Sequence, residues 1–203
     1  MALISDKYKS IAAPSEGVFK DRGSRFLALA FPVSDEEQIR SIISSLKTKY
    51  HDARHHCYAW RLGCDGSSFR SSDDGEPSGS AGKQILGRIE SKGLSDVLVV
   101  VVRWFGGIKL GVPGLIRAYR ESTEEALTAA VEVEKTAEAP YRLSFGYLSM
   151  NDVMKVLKDL SLPQLSLDCG EDCVITTRVR LSSVEDFEAR MSRIESCRVE
   201  KLV

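Results

Sequence analysis

Long apolar segments are missing from this sequence of 203 residues. A membrane helix needs roughly 18–20 consecutive apolar residues, whereas the longest run, residues 97–102, has six and predicts a buried strand. The first residues contain no basic segment followed by an apolar stretch, so no signal peptide is predicted. We therefore expect a cytoplasmic protein that does not contact a membrane.

Cysteine motifs and a surplus of charge are absent as well. The five cysteines include no Cys-x-x-Cys pair, which is typical of reduced, mostly buried cytosolic thiols. A metal or disulfide site at Cys169 and Cys173 stays open as the alternative. The formal net charge is −1, and the parts on either side of the 139/140 boundary are each nearly neutral. Neither part is a basic module, so nucleic-acid binding requires a local patch.

Residues 1–138 predict one larger domain. A hairpin at 15–33 is followed by Ser34, three residues before Glu37, which is the spacing of a helix capping box. This helix should end near Tyr50. A strand is predicted at 56–62 and a polar glycine-rich loop at 63–82. The next helix has Ile85, Leu86 and Ile89 on one face and stops at Gly93. The further predicted parts, in chain order, are a central strand at 94–103, a second glycine-rich loop at 104–114, a helix at 115–130 and a charged linker at 131–140.

Residues 139–203 predict a second, smaller domain. Leu143, Phe145 and Tyr147 alternate on one strand face, and a helix begins near Ser149. Two alternating segments around a turn at 170–172, a second helix and a closing strand follow. The resulting order βαββαβ suggests a ferredoxin-like sandwich, in which two helices cover one face of four antiparallel strands. The fold class expected for the whole chain is α+β.

The two glycine-rich loops carry the most informative chemistry. Each follows a strand and precedes a helix, and glycine allows a ligand to approach main-chain N–H groups closely. A helix N-terminus adds unpaired donors that suit an anion. The stretch from Arg103 to Arg120 has four basic and no acidic residues. These features predict an anion-binding crevice. The alternative is that the glycines only form turns and the arginines pair with Asp73, Asp74 or Glu76.

Other kinds of site have less support. Residues 79–83 look like part of a nucleotide-binding P-loop, but Gln84 stands where that motif needs Ser or Thr. The carboxylates within 73–76 suit a divalent metal or acid–base chemistry, although such runs are more often solvated or paired with arginines. The three histidines fall within residues 51–56, and neighbours on a strand face opposite sides. We therefore expect a hydrogen-bonding role for one of them rather than a zinc site.

Three long motifs resemble those of the IMPACT/YigZ family. They lie in the family's order at residues 52–60 (DARHHCYAW), 72–83 (SDDGEPSGSAGK) and 101–111 (VVRWFGGIKLG). The similarity extends over roughly 15–130. Lys109 stands where many relatives have an apolar residue. The smaller domain is less similar in sequence but has the length and βαββαβ order of the C-terminal domain of bacterial YigZ-like members.

The resemblance implies a fold and a cellular context. The first domain should share the fold of the second domain of small-subunit ribosomal protein five, and the second should resemble domain V, the last domain of elongation factor G. Eukaryotic relatives regulate translation by competing for an activator of the amino-acid-starvation kinase. They carry a different extra domain, which this sequence lacks. The resemblance to bacterial two-domain members supplies no established activity.

Residues and resemblance together predict a non-enzymatic, translation-linked regulatory protein that contacts RNA or ribosome-associated partners through a glycine-rich basic crevice. The alternatives are a protein or enzyme for a phosphorylated small molecule, using the same loops, and a pure protein–protein regulator. No cofactor or metal is expected, and the chain should be a monomer or a weak oligomer. The candidate binding residues are Arg54, His55, His56, Asp73, Asp74, Glu76, Gly79, Ser80, Gly82, Lys83, Arg103, Gly106, Gly107, Lys109, Gly111 and Arg117.

Overall fold

The computed structural model describes residues 6–202, which form two compact units. The larger unit comprises Tyr8–Lys135, and the smaller comprises Asp6, Lys7 and the chain from Thr136 onward. Both combine strands with helices, so the chain has the predicted α+β class. No helix within the described range is long and apolar enough to cross a membrane. The expectations that concern residues 1–5 and 203 lie outside this range.

Two sheets occur in the larger unit. The strands β1 (Lys7–Ile11) and β7 (Glu132–Thr136) form a two-stranded sheet. The main sheet contains β2 (Ser15–Asp21), β3 (Ser24–Pro32), β4 (His55–Leu62), β5 (Ser68–Ser72) and β6 (Val97–Trp104). Its order is β2-β3-β6-β4-β5, and all neighbouring strands are antiparallel. The hairpin predicted at 15–33 is therefore confirmed as β2 and β3.

Strand β6 is the centre of the main sheet, as predicted. Alternate residues along a strand face opposite sides of its sheet, and here both sides are apolar. Val97, Val99 and Val101 contribute to one core, whereas Leu98 and Val100 contribute to the other. A strand between two neighbours and covered on both faces has to be apolar throughout, which explains the uninterrupted hydrophobic run.

Three helices cover the two faces. Helix α1 (Glu36–Lys49) buries Ile39 and Leu46 on one face. Helices α2 (Gly82–Ser91) and α3 (Gly111–Ala129) pack on the other face, where Ile85 and Tyr119 are fully buried. Helix α3 begins four residues before the predicted start at Leu115. The second glycine-rich loop is therefore shorter than expected, and the helix begins within it.

Three local predictions for this unit are wrong. The N-cap of α1 is Asp35, which accepts the Gln38 N–H at 2.8 Å, because the helix begins one residue later than a Ser34 cap requires. The segment 63–82 is not a single loop, since it contains β5. The segment 131–140 is not a linker, since it contains β7 and the start of the next strand. β5 is almost entirely exposed and β7 largely so, and their polar composition gives little hydrophobic signal.

The smaller unit has the order βαββαβ. Its elements are β8 (Glu138–Phe145), α4 (Met150–Asp159), β9 (Ser166–Cys169), β10 (Cys173–Arg180), α5 (Val184–Met191) and β11 (Arg198–Lys201). The strands form an antiparallel sheet in the order β11-β8-β10-β9. The predicted succession of elements is therefore present.

The core of the smaller unit follows the alternation in β8 and β10. Phe187 and Met191 from α5 and Leu157 from α4 pack against these strands. Tyr147 is not part of this core, contrary to the prediction, and is 74% exposed. Strand β8 ends at Phe145, and a short 3₁₀ turn at Tyr147–Ser149 takes the chain away from the sheet.

Candidate binding site

The strand register brings three side chains together at one end of the main sheet. Arg103 on β6 is paired with His55 on β4 and with Phe26 on β3. All three lie on the face covered by α2 and α3, because they alternate in phase with the residues of that core. The guanidinium carbon of Arg103 lies 5.3 Å from the centre of the Phe26 ring.

Glu76 supplies the counter-charge for Arg103. The Arg103 side chain is 7% exposed and that of Glu76 is 4% exposed. Arg103 Nη1 donates to Glu76 Oε1, the Tyr119 hydroxyl donates to the same oxygen at 2.9 Å, and His55 Nε2 lies 3.9 Å from it. A buried guanidinium needs a counter-ion. For Arg103, the predicted alternative, pairing with one of the carboxylates at 73–76, is therefore correct, and its charge is neutralised by Glu76.

Asp73 holds the start of α2 in place. Its Oδ1 accepts the N–H groups of Ala81 at 3.0 Å and Gly82 at 2.8 Å, and its Oδ2 accepts that of Gly79 at 2.9 Å. The buried Ser80 donates its hydroxyl to the carbonyl of Pro77 at 2.6 Å. These three N–H groups are already occupied by a carboxylate of the chain and are not free donors for an external anion.

Asp74 connects this loop to β4. The His56 N–H donates to Asp74 Oδ2 at 2.7 Å, and Lys47 Nζ donates to Oδ1 at 3.0 Å. Burial alone would raise the pKa of Asp74, but these hydrogen bonds outweigh it and lower the pKa. His55 Nδ1 lies 2.8 Å from the Asp74 carbonyl oxygen, which can only accept a hydrogen bond. In the neutral His55 ring, Nδ1 therefore carries the proton and Nε2 is an acceptor.

His55 and His56 face opposite sides of β4, as predicted. His56 is buried on the α1 side, where burial lowers its pKa. His56 Nε2 has no hydrogen-bond partner among the described residues. Only His55 reaches the side of the sheet that carries Arg103 and Glu76.

A cavity of about 370 Å³ opens above the Arg103–Glu76 pair, and we name it cavity one. Six of the predicted residues line it: Arg54, His55, Glu76, Arg103, Lys109 and Gly111. Its walls are apolar and come from Pro77, Phe105, Leu110, Val112 and Leu115. Cavity one thus combines a buried ion pair, apolar walls and two exposed cations, Arg54 and Lys109.

A second cavity of about 750 Å³, named cavity two, lies along α2. Of the predicted residues it contains Gly79 and Lys83; the others that line it are Ser78, Gln84, Leu86, Gly87, Arg88, Glu90 and Arg120. Arg88 lies 3.7 Å from Glu124, and Arg120 Nε donates to Gln84 Oε1 at 2.8 Å. The first glycine-rich loop therefore contributes to both cavities, and the predicted residues are divided between them.

The remaining predicted residues line neither of these cavities: His56, Asp73, Asp74, Ser80, Gly82, Gly106, Gly107 and Arg117. Two of the glycines are explained by contacts within the chain. A Cβ at Gly82 would lie 2.7 Å from the backbone nitrogen of Ser72, and one at Gly106 would lie 1.9 Å from the carbonyl carbon of Gly23. These positions are therefore glycine because two backbones meet there, and no ligand is needed to account for them.

Sequence reasoning missed Tyr119, Cys57 and Phe105. Tyr119 fits the apolar helix pattern and is fully buried, but its hydroxyl also bonds to Glu76 and accepts from Cys57 Sγ at 3.2 Å. A tyrosine rather than a leucine at a core position signals a buried polar partner. Burial raises the pKa of Cys57 to about 12, so its thiol is not a nucleophile at neutral pH.

Metal ligands do not converge in the described part of the chain. Among residues 6–202, no group of three or more His, Cys, Asp and Glu side chains is arranged to hold a metal ion. Cys169 and Cys173 occupy opposite positions on β9 and β10, and both are free thiols.

Comparison with known proteins places the chain in a family. Residues 22–127 match the Impact N-terminal domain. The chain is 31% identical over 183 residues to the IMPACT family member YigZ of Escherichia coli, covering 89% of this chain and 90% of that protein. It is 32% identical over 171 residues to the IMPACT family member YvyE of Bacillus subtilis, covering 84% and 79%.

A solved structure supports the same relationship over both units. The crystal structure, described as that of a hypothetical protein, is 28% identical and has a TM-score of 0.73, covering 98% of this chain and 99% of that chain. The chain therefore belongs to the IMPACT family, which confirms the resemblance of its motifs.

Proposed function

We propose that this protein is a translation-linked regulator that binds RNA through cavity one and catalyses no reaction. The translational context comes from the family, since eukaryotic members regulate translation. We further assign the larger unit to the fold of the second domain of small-subunit ribosomal protein five. The smaller unit, by its βαββαβ order and antiparallel sheet, is assigned to the ferredoxin-like fold of domain V of elongation factor G.

Two unpaired cations at the mouth of cavity one carry the proposal. Arg54 and Lys109 are exposed, and neither forms an ion pair with a residue of the described range. Arg117, on α3, is likewise exposed and without an ionic partner within 6–202. Such cations release counterions from a phosphate backbone, which supplies most of the non-specific affinity of proteins for nucleic acids.

The amino end of α3 adds donors to the same cavity. Leu110, Gly111 and Val112 line cavity one, and the N-cap residue Leu110 provides no side-chain hydrogen bond to the helix. Free N–H groups and the partial positive charge of a helix N-terminus favour a phosphate. This end of α3 differs from the start of α2, where Asp73 takes up the donors.

Phe105 provides an aromatic surface beside the cations. It is 44% exposed, lines cavity one and lies with its ring centre 5.8 Å from the Arg103 guanidinium carbon. Sites for single-stranded RNA commonly combine cations along the backbone with an aromatic ring on which a base stacks. Cavity one offers both features within one small region.

The test is filter binding of single-stranded RNA and of ribosomes at roughly 50 and 200 mM salt. We expect binding that weakens steeply with salt. Replacing Arg54 and Lys109 together by alanine should weaken it and reduce the salt slope by about 1.4, or 0.7 for each lost phosphate contact. The matched control is Arg40→Ala with Lys49→Ala, which removes the same charge from α1. No binding by the folded wild type at low salt would refute the proposal.

A protein partner is the second candidate, because the loop beside cavity one exposes apolar side chains. Phe105, Ile108 and Val112 are 44%, 55% and 46% exposed, and adjoining exposed apolar residues mark interaction surfaces. A pull-down from nuclease-treated lysate with wild type and Ile108→Ser separates the two candidates. Partners that survive nuclease and are lost with Ile108→Ser favour this one; loss of every partner after nuclease treatment excludes it.

A further inference from the structure

We propose that cavity one accepts a guanine base from single-stranded RNA. This inference rests on the proposed RNA binding and names the base that the site selects. It depends on the arrangement of hydrogen-bond donors and acceptors around the buried Arg103–Glu76 pair, on the apolar walls and on the size of the cavity.

Two acceptors lie side by side in the cavity. The Glu76 carboxylate has about four lone-pair positions, of which Oε1 uses two for Arg103 and Tyr119. His55 Nε2, an acceptor in the neutral ring because Nδ1 donates to the Asp74 carbonyl, lies 3.9 Å from Glu76 Oε1. Two adjacent acceptors match a ligand that presents two adjacent donors.

The Arg103 guanidinium, which bonds to Glu76 through Nη1, also has a donor without a partner in the described part of the chain. Arg103 is 6% exposed, and its Nε forms no hydrogen bond with any residue of the range 6–202. A buried donor without a partner costs about 1–3 kcal/mol, so a ligand acceptor that satisfies it is favoured. Lys109 lines the same cavity and adds a second donor.

Guanine is the base whose edge fits this pattern. It presents two neighbouring donors, N1–H and N2–H₂, next to the acceptor O6. The donors of guanine would meet Glu76 and His55, and its O6 would meet Arg103 or Lys109. Adenine, cytosine and uracil each lack two adjacent ring-edge donors of this kind, so they would leave Glu76 or His55 without a partner.

The walls and volume of cavity one suit a single base. Phe105, Leu110 and Val112 present apolar surface to a flat ring, and extruded bases are held by such side chains together with hydrogen bonds to their edge. Its volume of about 370 Å³ is at the small end of the range for ligand sites, about 300–1,000 Å³. Arg54 and the amino end of α3 would then meet the adjoining phosphates.

Fluorescence anisotropy with labelled uridine decamers tests the proposal. One decamer is uniform, one carries a single central guanosine and one a single central adenosine. We expect the guanosine decamer to bind roughly tenfold more tightly than the other two. Equal binding of the three decamers would overturn the guanine site while leaving RNA binding intact.

The test variant fills cavity one with a larger side chain, because this leaves the Arg103–Glu76 pair unchanged. Val112→Trp places a large ring at the mouth, and Val112 is exposed enough for the fold to accept it. The control is Ile108→Trp, in the same loop but outside the cavity lining. We expect Val112→Trp to abolish the preference for guanosine and Ile108→Trp to retain it. A preference that persists in Val112→Trp contradicts the assignment.

Competition with free GMP distinguishes the sources of the base. If free GMP lowers the affinity of the guanosine decamer only to that of the uniform decamer, the result supports a base presented by RNA. GMP binding without binding of any decamer would overturn RNA as the source and refute the proposed function, but would retain guanine as the ligand. No binding of GMP or of any decamer would overturn both proposals.

Discussion

Cavities one and two are both lined by residues of the first glycine-rich loop and of α3, but their charged side chains differ in burial and pairing. In cavity one, Glu76 and Arg103 are buried and paired with each other, and the remaining cations, Arg54 and Lys109, stay exposed and unpaired. In cavity two, Arg88 lies 3.7 Å from Glu124, both side chains are partly exposed, and Arg120 donates to the neutral amide of Gln84. Cavity one therefore contains a buried ion pair, whereas the ion pair beside cavity two is partly exposed.

The difference shows why clustered basic residues do not by themselves define a site. Pairing of Arg103 with Glu76 neutralises the floor of cavity one and leaves a hydrogen-bonding surface there. The free charge is confined to the mouth, which Arg54 and Lys109 border. A ligand that enters meets cations first and a polar, nearly neutral floor afterwards.

The largest expected effect is on stability and concerns Glu76. Glu76→Ala leaves the buried Arg103 without its counter-ion and should cost about 3–5 kcal/mol, measured by urea unfolding. Glu90→Ala removes an exposed carboxylate from cavity two and should stay within about 0.5 kcal/mol of the wild type. Similar losses for both variants would remove the contrast between the cavities.

The next effect is on RNA affinity and compares the free cations directly. Arg54→Ala with Lys109→Ala should weaken binding roughly tenfold at low salt, because two phosphate contacts are lost. Lys83→Ala with Arg88→Ala removes the same charge from cavity two and should change affinity by less than about twofold. Filter binding measures both. A larger loss of affinity in the Lys83→Ala, Arg88→Ala variant would assign RNA binding to cavity two.

A smaller effect concerns the pH dependence of stability and compares the buried His56 with the exposed His51. Burial lowers the pKa of His56 below its ordinary value of 6.5, so the unfolded chain takes up the proton first as the pH falls. Stability contributed by neutral His56 is thus complete well above pH 6.5 and decreases as the pH falls through that value toward the lower folded-state pKa.

The variant His56→Leu should therefore show a smaller loss of stability than wild type between about pH 7 and pH 5, by on the order of 1 kcal/mol. Urea unfolding at the two pH values measures this loss. The control His51→Leu changes an exposed residue and should retain the loss seen in wild type. Equal pH dependence in wild type and His56→Leu would contradict a pKa lowered by burial.

The smallest effect is a gain of stability within cavity two. Gly87 lies inside α2, and a Cβ there would meet no atom within 4 Å. Gly87→Ala should stabilise the protein by about 0.5–1 kcal/mol, because alanine loses less backbone entropy in a helix. Thermal unfolding measures it. Gly82→Ala is the contrasting variant and should destabilise, since its Cβ would meet the backbone of Ser72.

Elements with a strong apolar pattern could be predicted from the sequence. The run at 97–102 identified the central strand, and the spacing of Ile85 and Ile89 identified α2. β5 and β7 were missed because they are polar and largely exposed, so that they give little hydrophobic signal. Propensity carries little information at such edges.

The sequence motifs named residues that line cavity one, but they did not reveal how these residues are arranged. The motifs contained Glu76, Arg103 and Lys109, yet nothing in their spacing showed that Arg103 would be buried against Glu76. That pairing depends on the register between β4 and β6 and on the loop tied down by Asp73. Both are long-range contacts, which a local pattern does not encode.

The most direct measurement is an NMR titration of the ¹⁵N-labelled protein with the guanosine-containing uridine decamer. We expect the largest amide shifts at residues 54–55, 76 and 103–112, which contribute to cavity one, and much smaller shifts along 83–90. Shifts centred on 83–90 or on the smaller unit, or no shifts at low salt, would contradict cavity one as the RNA-binding site.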